Sequence, residues 1–242
     1  MTIEPCRLEV GGISVEIHRK AIKNLHIGVY PPHGKVRIAT PLHLDDEAVR
    51  LAVVSRLRWI RRKQKEFASQ SRQSARELVT GESHYFQGQR YRLNVVHQPG
   101  TPRVRVVNRS YLELKVPPWM NATDRQGVLD RWYRRQIKAQ IPELLEQWEK
   151  VIGVRVTDCR IKRMKTRWGS CNTGAGRVWL NLELAKKPFH CLEYILVHEL
   201  VHLLERRHSE RFRALMDSYL PDWRLRKDDL NRLPLAHDDW DY

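Results

Sequence analysis

"VHELVHLLERRHSERF", Val197 to Phe212, holds three histidines and a glutamate in a run that otherwise reads as an amphipathic helix. His198 and His202 are four residues apart, so on a helix their side chains stand one above the other on the same face. That spacing lets two imidazole nitrogens converge on one tetrahedral cation such as zinc. Glu199 follows the first histidine and places a carboxyl beside the ligands, where it can act as general base for a metal-bound water. The neighbours Ile195, Leu196, Leu200, Val201, Leu203 and Leu204 are apolar and predict a largely buried helix. Two histidines and a glutamate pointing inward from such a helix are costly unless paired or ligated. A metal site is therefore favoured over a basic helix that is merely rich in histidine.

A catalytic zinc site takes three protein ligands and keeps one position open. His208 is the nearest candidate for the third. On an unbroken helix it would lie about 9 Å beyond His202 along the axis and face elsewhere. Coordination by His208 thus requires the helix to end between Leu204 and Arg207. Ser209 is a good N-cap for a new helix through "ERFRALMDSYL", with Glu210 in its first turn. His190, His237 and a downstream carboxylate are the weaker alternatives. Upstream, "RVWLNLELA" (177–185) alternates Val178, Leu180, Leu182 and Leu184 with Trp179, Asn181 and Glu183, and predicts a strand. It either pairs with an extended peptide near the metal or is an ordinary sheet strand.

The rest of the chain is read outward from this centre. At 242 residues it is long enough for one large domain or two small ones. Residues 1–118 read as a β-rich region interrupted by one basic helix. "RLEVGGISVEIHR" alternates about a Gly11-Gly12 hairpin turn, Pro31-Pro32 and Gly34 mark a second turn, and a helix begins after an Asp45 N-cap. Pro117-Pro118 marks a boundary, and residues 119–242 carry the metal motif. A long helix capped by Thr123 runs to Gly153, and Pro142 inside it predicts a kink or a division. No internal repeat stands out. The tail "LPLAHDDWDY" is acidic and aromatic, as a flexible end or a docked strap. The expected class is α+β.

No basic segment followed by an apolar block opens the chain, and no apolar run is long enough to span a membrane. The four cysteines form no C-x-x-C pair, which points to reduced thiols and a cytoplasmic protein. The net charge of +16 attracts nucleic acid or acidic protein surfaces, with plain solvated surface as the other reading. Its densest stretches are Arg50–Arg76 and Arg131–Lys138.

Four stretches carry a resemblance to a known family. They are "KTRWGSCNTGAGRVWLNLELAKKP" (Lys165 to Pro188), "LEYILVHELVHLLERRHSERF" (Leu192 to Phe212), "WIRRKQKEF" and "TGESHYFQGQRYRL". Together they resemble the YgjP-like metallopeptidases, relatives of the SprT-type zincins, over nearly the whole chain. The resemblance implies a zincin-like C-terminal domain, with zinc on His198, His202 and His208 and Glu199 as the catalytic carboxylate. It also adds weight to nucleic-acid contact, because some SprT-type zincins act in DNA-protein crosslink repair. "LLERRHS" departs from relatives that carry Pro or Asn before the histidine. Trp168, Gly169 and Ser170 are expected to shape the rim near the metal, with Cys171 structural. Tyr194, one turn before His198, is a candidate oxyanion stabiliser, although core packing is the plainer role.

Three functions are carried forward. The first is a zinc peptidase acting on a protein or peptide substrate. The second is a nucleic-acid-associated zinc protein acting on DNA-bound proteins. The third is a non-catalytic metal-binding module, closed by a fourth ligand such as Cys171 or His237.

Overall fold

The computed structural model describes residues 6–30, 34–69, 77–164 and 167–232. The Pro31-Pro32 turn, the end of the Arg50–Arg76 stretch, His237 and the acidic tail lie outside the described residues. The chain divides into two compact units between Arg72 and Gln73.

The first unit contains β1 (Cys6–Val10), β2 (Ile13–Lys20), β3 (His26–Tyr30), β4 (Lys35–Pro41) and α1 (Asp46–Ser69). The strand order is β1-β2-β4-β3, with β2 and β4 parallel and both outer pairs antiparallel. Gly11 and Gly12 both have positive φ, as a two-residue hairpin between right-twisted strands requires. Alternate residues Val15, Ile17, Val36 and Ile38 face Val49, Val53 and Ile60 in a small core. Asp45 caps α1, its Oδ1 accepting from the Ala48 amide at 2.8 Å. Arg50, Arg56, Arg58, Arg61 and Lys65 are exposed on this helix.

The second unit begins with β5 (Ser83–Phe86), β6 (Gln89–His97), β7 (Arg103–Val107) and β8 (Tyr111–Val116), followed by α2 (Ala122–Ile152). Its sheet order, β5-β6-β8-β7, repeats the first unit's pattern, again with a parallel central pair. The repeat lies in topology and in the helix that follows. It escapes the sequence because the two cores are built from different side chains. A third sheet, ordered β10-β11-β9, is formed by β9 (Asp158–Lys162), β10 (Gly169–Asn172) and β11 (Arg177–Asn181). The chain then runs through a short 3-10 helix (Leu182–Lys186), α3 (Phe189–Val201), α4 (Glu210–Tyr219) and α5 (Trp223–Arg232). The class is α+β, as expected.

Several expectations change. The compact units do not divide at 118/119, because β5–β8 share a core with the metal-site half. Leu93, Leu112, Leu114 and Val116 join Val128, Leu129 and Tyr133 of α2 and Leu196 and Leu200 of α3 in one cluster. The N-cap of α2 is Asn121 rather than Thr123: its side chain accepts from the Asp124 amide while Asp124 reaches back to the Asn121 amide. Pro142 does not divide α2. It lies on the exposed side, where water can satisfy the carbonyl it leaves without a partner. The predicted strand 177–185 stops at Asn181, because the Asn181 side chain accepts from the Glu183 amide and starts the 3-10 helix.

Candidate metal centre

The centre is assembled from α3, the turn after it, the start of α4 and strand β10. α3 is apolar nearly all round, so it is buried on most faces, with Leu192, Leu196, Val197 and Leu200 in the core. Glu193 ties it to two other helices, accepting from Trp148 Nε1 of α2 at 3.1 Å and pairing with Arg226 of α5. His198 and Glu199 therefore project from a braced element.

α3 ends at Val201 with His202 as its C-cap, earlier than the Leu204–Arg207 break expected from the sequence. The Leu203, Leu204 and Glu205 amides fold back onto the Leu200 and Val201 carbonyls, forming a turn. This turn needs neither Pro nor Gly. Ser209 caps α4 by accepting from the Phe212 amide at 3.3 Å. The reversal returns His208 to the pair. The candidate ligand atoms of His198, His202 and His208 all lie within 4.8 Å of one another, and no other such histidine, cysteine or carboxylate group exists among the described residues.

The imidazoles fit a cation. His198 Nε2 and His208 Nε2 are 3.0 Å apart, too close for two facing lone pairs unless a proton or cation lies between them. Ligands about 2.05 Å from a tetrahedral zinc would stand about 3.3 Å from each other. The His202 Nδ1 lies 3.0 Å from the Glu205 carbonyl, which can only accept. The proton is thereby held on Nδ1 and the Nε2 lone pair is free to ligate. Burial first, then the neighbouring His202 and His208, pushes His198 down to about 3, so its ring is neutral as a ligand must be. Burial also lowers His208.

Phe212 underlies all three rings, with centroids 4.9 Å from His198, 4.7 Å from His202 and 4.9 Å from His208. Sequence reasoning passed over it as an ordinary apolar residue. Its place four residues after His208, on the face α4 turns inward, was the available signal.

Glu199 is 5% exposed, and burial pushes its carboxyl up to about 8 against the opposing charge of Arg167. Its neighbour is Gly169, the first residue of β10. A methyl group at Gly169 would stand 2.5 Å from Glu199 Oε1 and 2.7 Å from Cγ. The glycine is what lets the carboxyl lie against the strand. The segment leading into β10 is held by Asn181, whose Nδ2 donates to the Met164 and Arg167 carbonyls at 2.8 and 2.7 Å. The Asn181 amide donates to the Trp168 carbonyl at 2.9 Å. A glycine at the start of a strand is a sequence signal for close approach, and the resemblance pointed to this loop without giving its role.

An open groove of ≈ 1110 Å³ runs along the centre, lined by Arg167–Gly174, Tyr194, Ile195, the three histidines, Glu199 and Arg206. β10 borders it and, among the described residues, is an edge strand; β11 lies between β9 and β10 and has no free side. The expectation that 177–185 would face a peptide therefore moves to β10. Tyr194 is 4% exposed and stacks on Trp223 at 6.4 Å, while its ring meets His198 edge-on at 5.9 Å. Burial, with Glu199 nearby, pushes its hydroxyl up to about 12. It is thus both a core residue and a neutral donor at the groove.

The alternative ligands stand apart. His190 lies 3.3 Å from Asp229, and Cys171 of β10 is outside the histidine cluster. Among the described residues no helix is long and apolar enough to cross a membrane.

The family described as YgjP-like, metallopeptidase domain, matches residues 24–233. No curated protein matches the chain. Among solved structures, the chain is similar to the metallopeptidase zymogen of Pyrococcus abyssi abylysin, at 23% identity and a TM-score of 0.35, over 37% of this chain and 90% of that one. The chain belongs to the YgjP-like metallopeptidase domain family.

Proposed function

We propose that this chain is a zinc-dependent peptidase in which His198, His202 and His208 hold the metal and Glu199 is the general base. The observation that carries the reading is the convergence of three imidazoles next to a buried carboxyl, at the side of an open groove. When bound, zinc polarises a carbonyl and brings the pKa of a water toward neutrality. Glu199, which the charge of a bound cation would favour in its ionised form, takes the proton from the attacking water and passes it to the leaving amine. Gly169 lets that carboxyl sit beside β10, and Asn181 keeps the segment leading into β10 in place. The free edge of β10 pairs with an extended peptide and lays its scissile carbonyl across the histidines. The Tyr194 hydroxyl, neutral at working pH, donates to the oxygen on which negative charge develops.

Cys171, one candidate fourth ligand, stands outside the histidine cluster, which supports an open fourth position over closure by that thiol. The four cysteines are free, in keeping with a reducing, cytoplasmic setting. The substrate class is a protein or peptide. Glu199→Gln tests the mechanism. It should retain stoichiometric zinc while losing hydrolysis of unfolded proteins by a factor of about 10² to 10⁴; full activity with zinc bound would refute the general-base role.

A second reading, nucleic-acid contact, is favoured by the exposed arginines of α1. It predicts binding of duplex DNA that weakens steeply between about 50 and 200 mM salt. Failure to bind at the lower salt would remove it.

A further inference from the structure

The groove is electrostatically one-sided. Its lining contains a single carboxyl group, that of Glu199, which is buried and committed to the centre. It contains two guanidinium groups, Arg167 and Arg206, and both residues are exposed. They come from the two segments that frame the centre. Arg167 immediately precedes Trp168 and β10, and Arg206 lies in the turn between His202 and His208. Among the described residues neither guanidinium forms a salt bridge, although the charge of Arg167 reaches the buried Glu199. The positive charge does not end at the lining: Lys227 acts on His198 and His208, and Arg213 acts on His208. Opposing charge beyond the lining includes Asp228, which acts on Tyr194, and Glu205, whose carboxylate accepts from the Arg207 amide.

A guanidinium presents five N–H donors in a planar fork that fits a carboxylate in two parallel hydrogen bonds. Two such groups without a salt bridge among the described residues, one on each framing segment, form an incomplete set of ion pairs that a substrate can complete. A lysine-rich peptide would meet like charge on both sides, and an uncharged peptide would leave both forks to water.

We infer that the groove selects peptides with Asp or Glu near the scissile bond, with Arg167 and Arg206 as the specificity-determining residues. This rests on the peptidase reading given above. Arg167 holds one acidic side chain from the β10 side and Arg206 holds another from the histidine turn. Their contribution is made on binding and falls mainly on KM.

The test uses the zinc-loaded full chain and three internally quenched peptides that are identical except for Glu, Gln or Lys at the two positions flanking the cleaved bond. Two partly exposed ion pairs should raise kcat/KM for the Glu peptide over the Gln peptide by about tenfold, and lower the Lys peptide further. Arg167→Gln with Arg206→Gln should bring the Glu:Gln ratio below twofold. Removing the same charge from α1, with Arg50→Gln and Arg58→Gln, should leave the ratio as it was. Fluorescence anisotropy of labelled, uncleaved peptides on the Glu199→Gln protein supplies a readout independent of turnover, and the same order is expected there. A Glu:Gln ratio under twofold in the native protein would overturn the inference while leaving the peptidase reading intact. An equal loss of the ratio in the α1 variant would overturn it too, because the preference would then belong to the net charge of +16. If no peptide is cleaved but the arginine-dependent binding order holds, the selection of acidic peptides by Arg167 and Arg206 stands as a binding property and the peptidase reading falls.

Discussion

Gly169→Ala should impair chemistry far more than folding. The φ of Gly169 lies outside the left-handed region, so alanine suits the backbone and the only obstacle is contact. The new methyl would stand 2.5 Å from Oε1, 2.7 Å from Cγ and 2.9 Å from Cδ of Glu199, where ordinary contact begins at 3.4 Å. The carboxyl must therefore withdraw by about 1 Å, and a catalytic group misplaced by that much costs about 10²-fold. The stability cost is about 1–3 kcal/mol for overpacking, partly offset by about 0.4–1 kcal/mol from the stiffer unfolded chain. The assay is kcat/KM on a quenched unfolded substrate, with zinc content and thermal midpoint measured on the same samples. A double variant sharpens the result: Glu199→Asp shortens the side chain by one methylene, so its loss in the Gly169→Ala background should be smaller than in the native protein. Zinc-loaded Gly169→Ala with kcat/KM within threefold of native would refute the reasoning.

Three further outcomes are expected. Ser209→Ala should destabilise α4 by about 1 kcal/mol and weaken zinc in chelator competition, whereas Ser209→Asp, also a good cap, should retain affinity; equal affinities in the two variants would separate the cap from the metal. Phe212→Ala removes the ring beneath all three imidazoles and should cost about 3–5 kcal/mol, with zinc affinity falling more than in a similarly destabilised variant elsewhere in the core. Burial alone would raise Glu16, but Lys35 at 2.6 Å, His18 at 2.7 Å and the Arg37 charge hold it down at about 2. With a folded value below the ordinary 4.5, its stabilisation of about 3 kcal/mol is present above about pH 4.5 and is lost as pH falls toward 2. The gap between native and Glu16→Gln urea midpoints should shrink over that window, and a pH-independent gap would rule the linkage out.

The parts of the site that obey local rules were legible from the sequence. The four-residue spacing of His198 and His202 specifies a shared face wherever the helix lies, and Ser209 caps α4 by a purely local bond. Helix termination was harder, because α3 stops at Val201 through backbone folding in the His202–Glu205 turn, which has no marker residue. Asn121 outcompeted Thr123 because its partner Asp124 completes a reciprocal pair, and Asn181 ended a strand that its apolar alternation would have continued. Contacts between residues distant in the chain were invisible: nothing near Gly169 announces that Glu199, thirty residues later, will fill the space of its missing side chain. The place of β10 at the sheet edge likewise follows from pairing order rather than from its own four residues.

The hairpin joining β5 and β6 bears on how this protein can be dissected. Gln87 and Gly88 at its tip donate their amides to the Ala185 and Lys186 carbonyls at 2.9 and 3.1 Å, and a methyl at Gly88 would strike Pro188. Those carbonyls belong to the 3-10 helix that feeds directly into α3. A fragment beginning at Trp119 would still encode every histidine of the centre. It would nevertheless leave the approach to the metal helix without its latch and expose the face of α2 that Leu112 and Leu114 cover. The smallest piece worth expressing for chemistry therefore starts ahead of Leu78, and a cut chosen from the histidine motif alone would leave that apolar face uncovered.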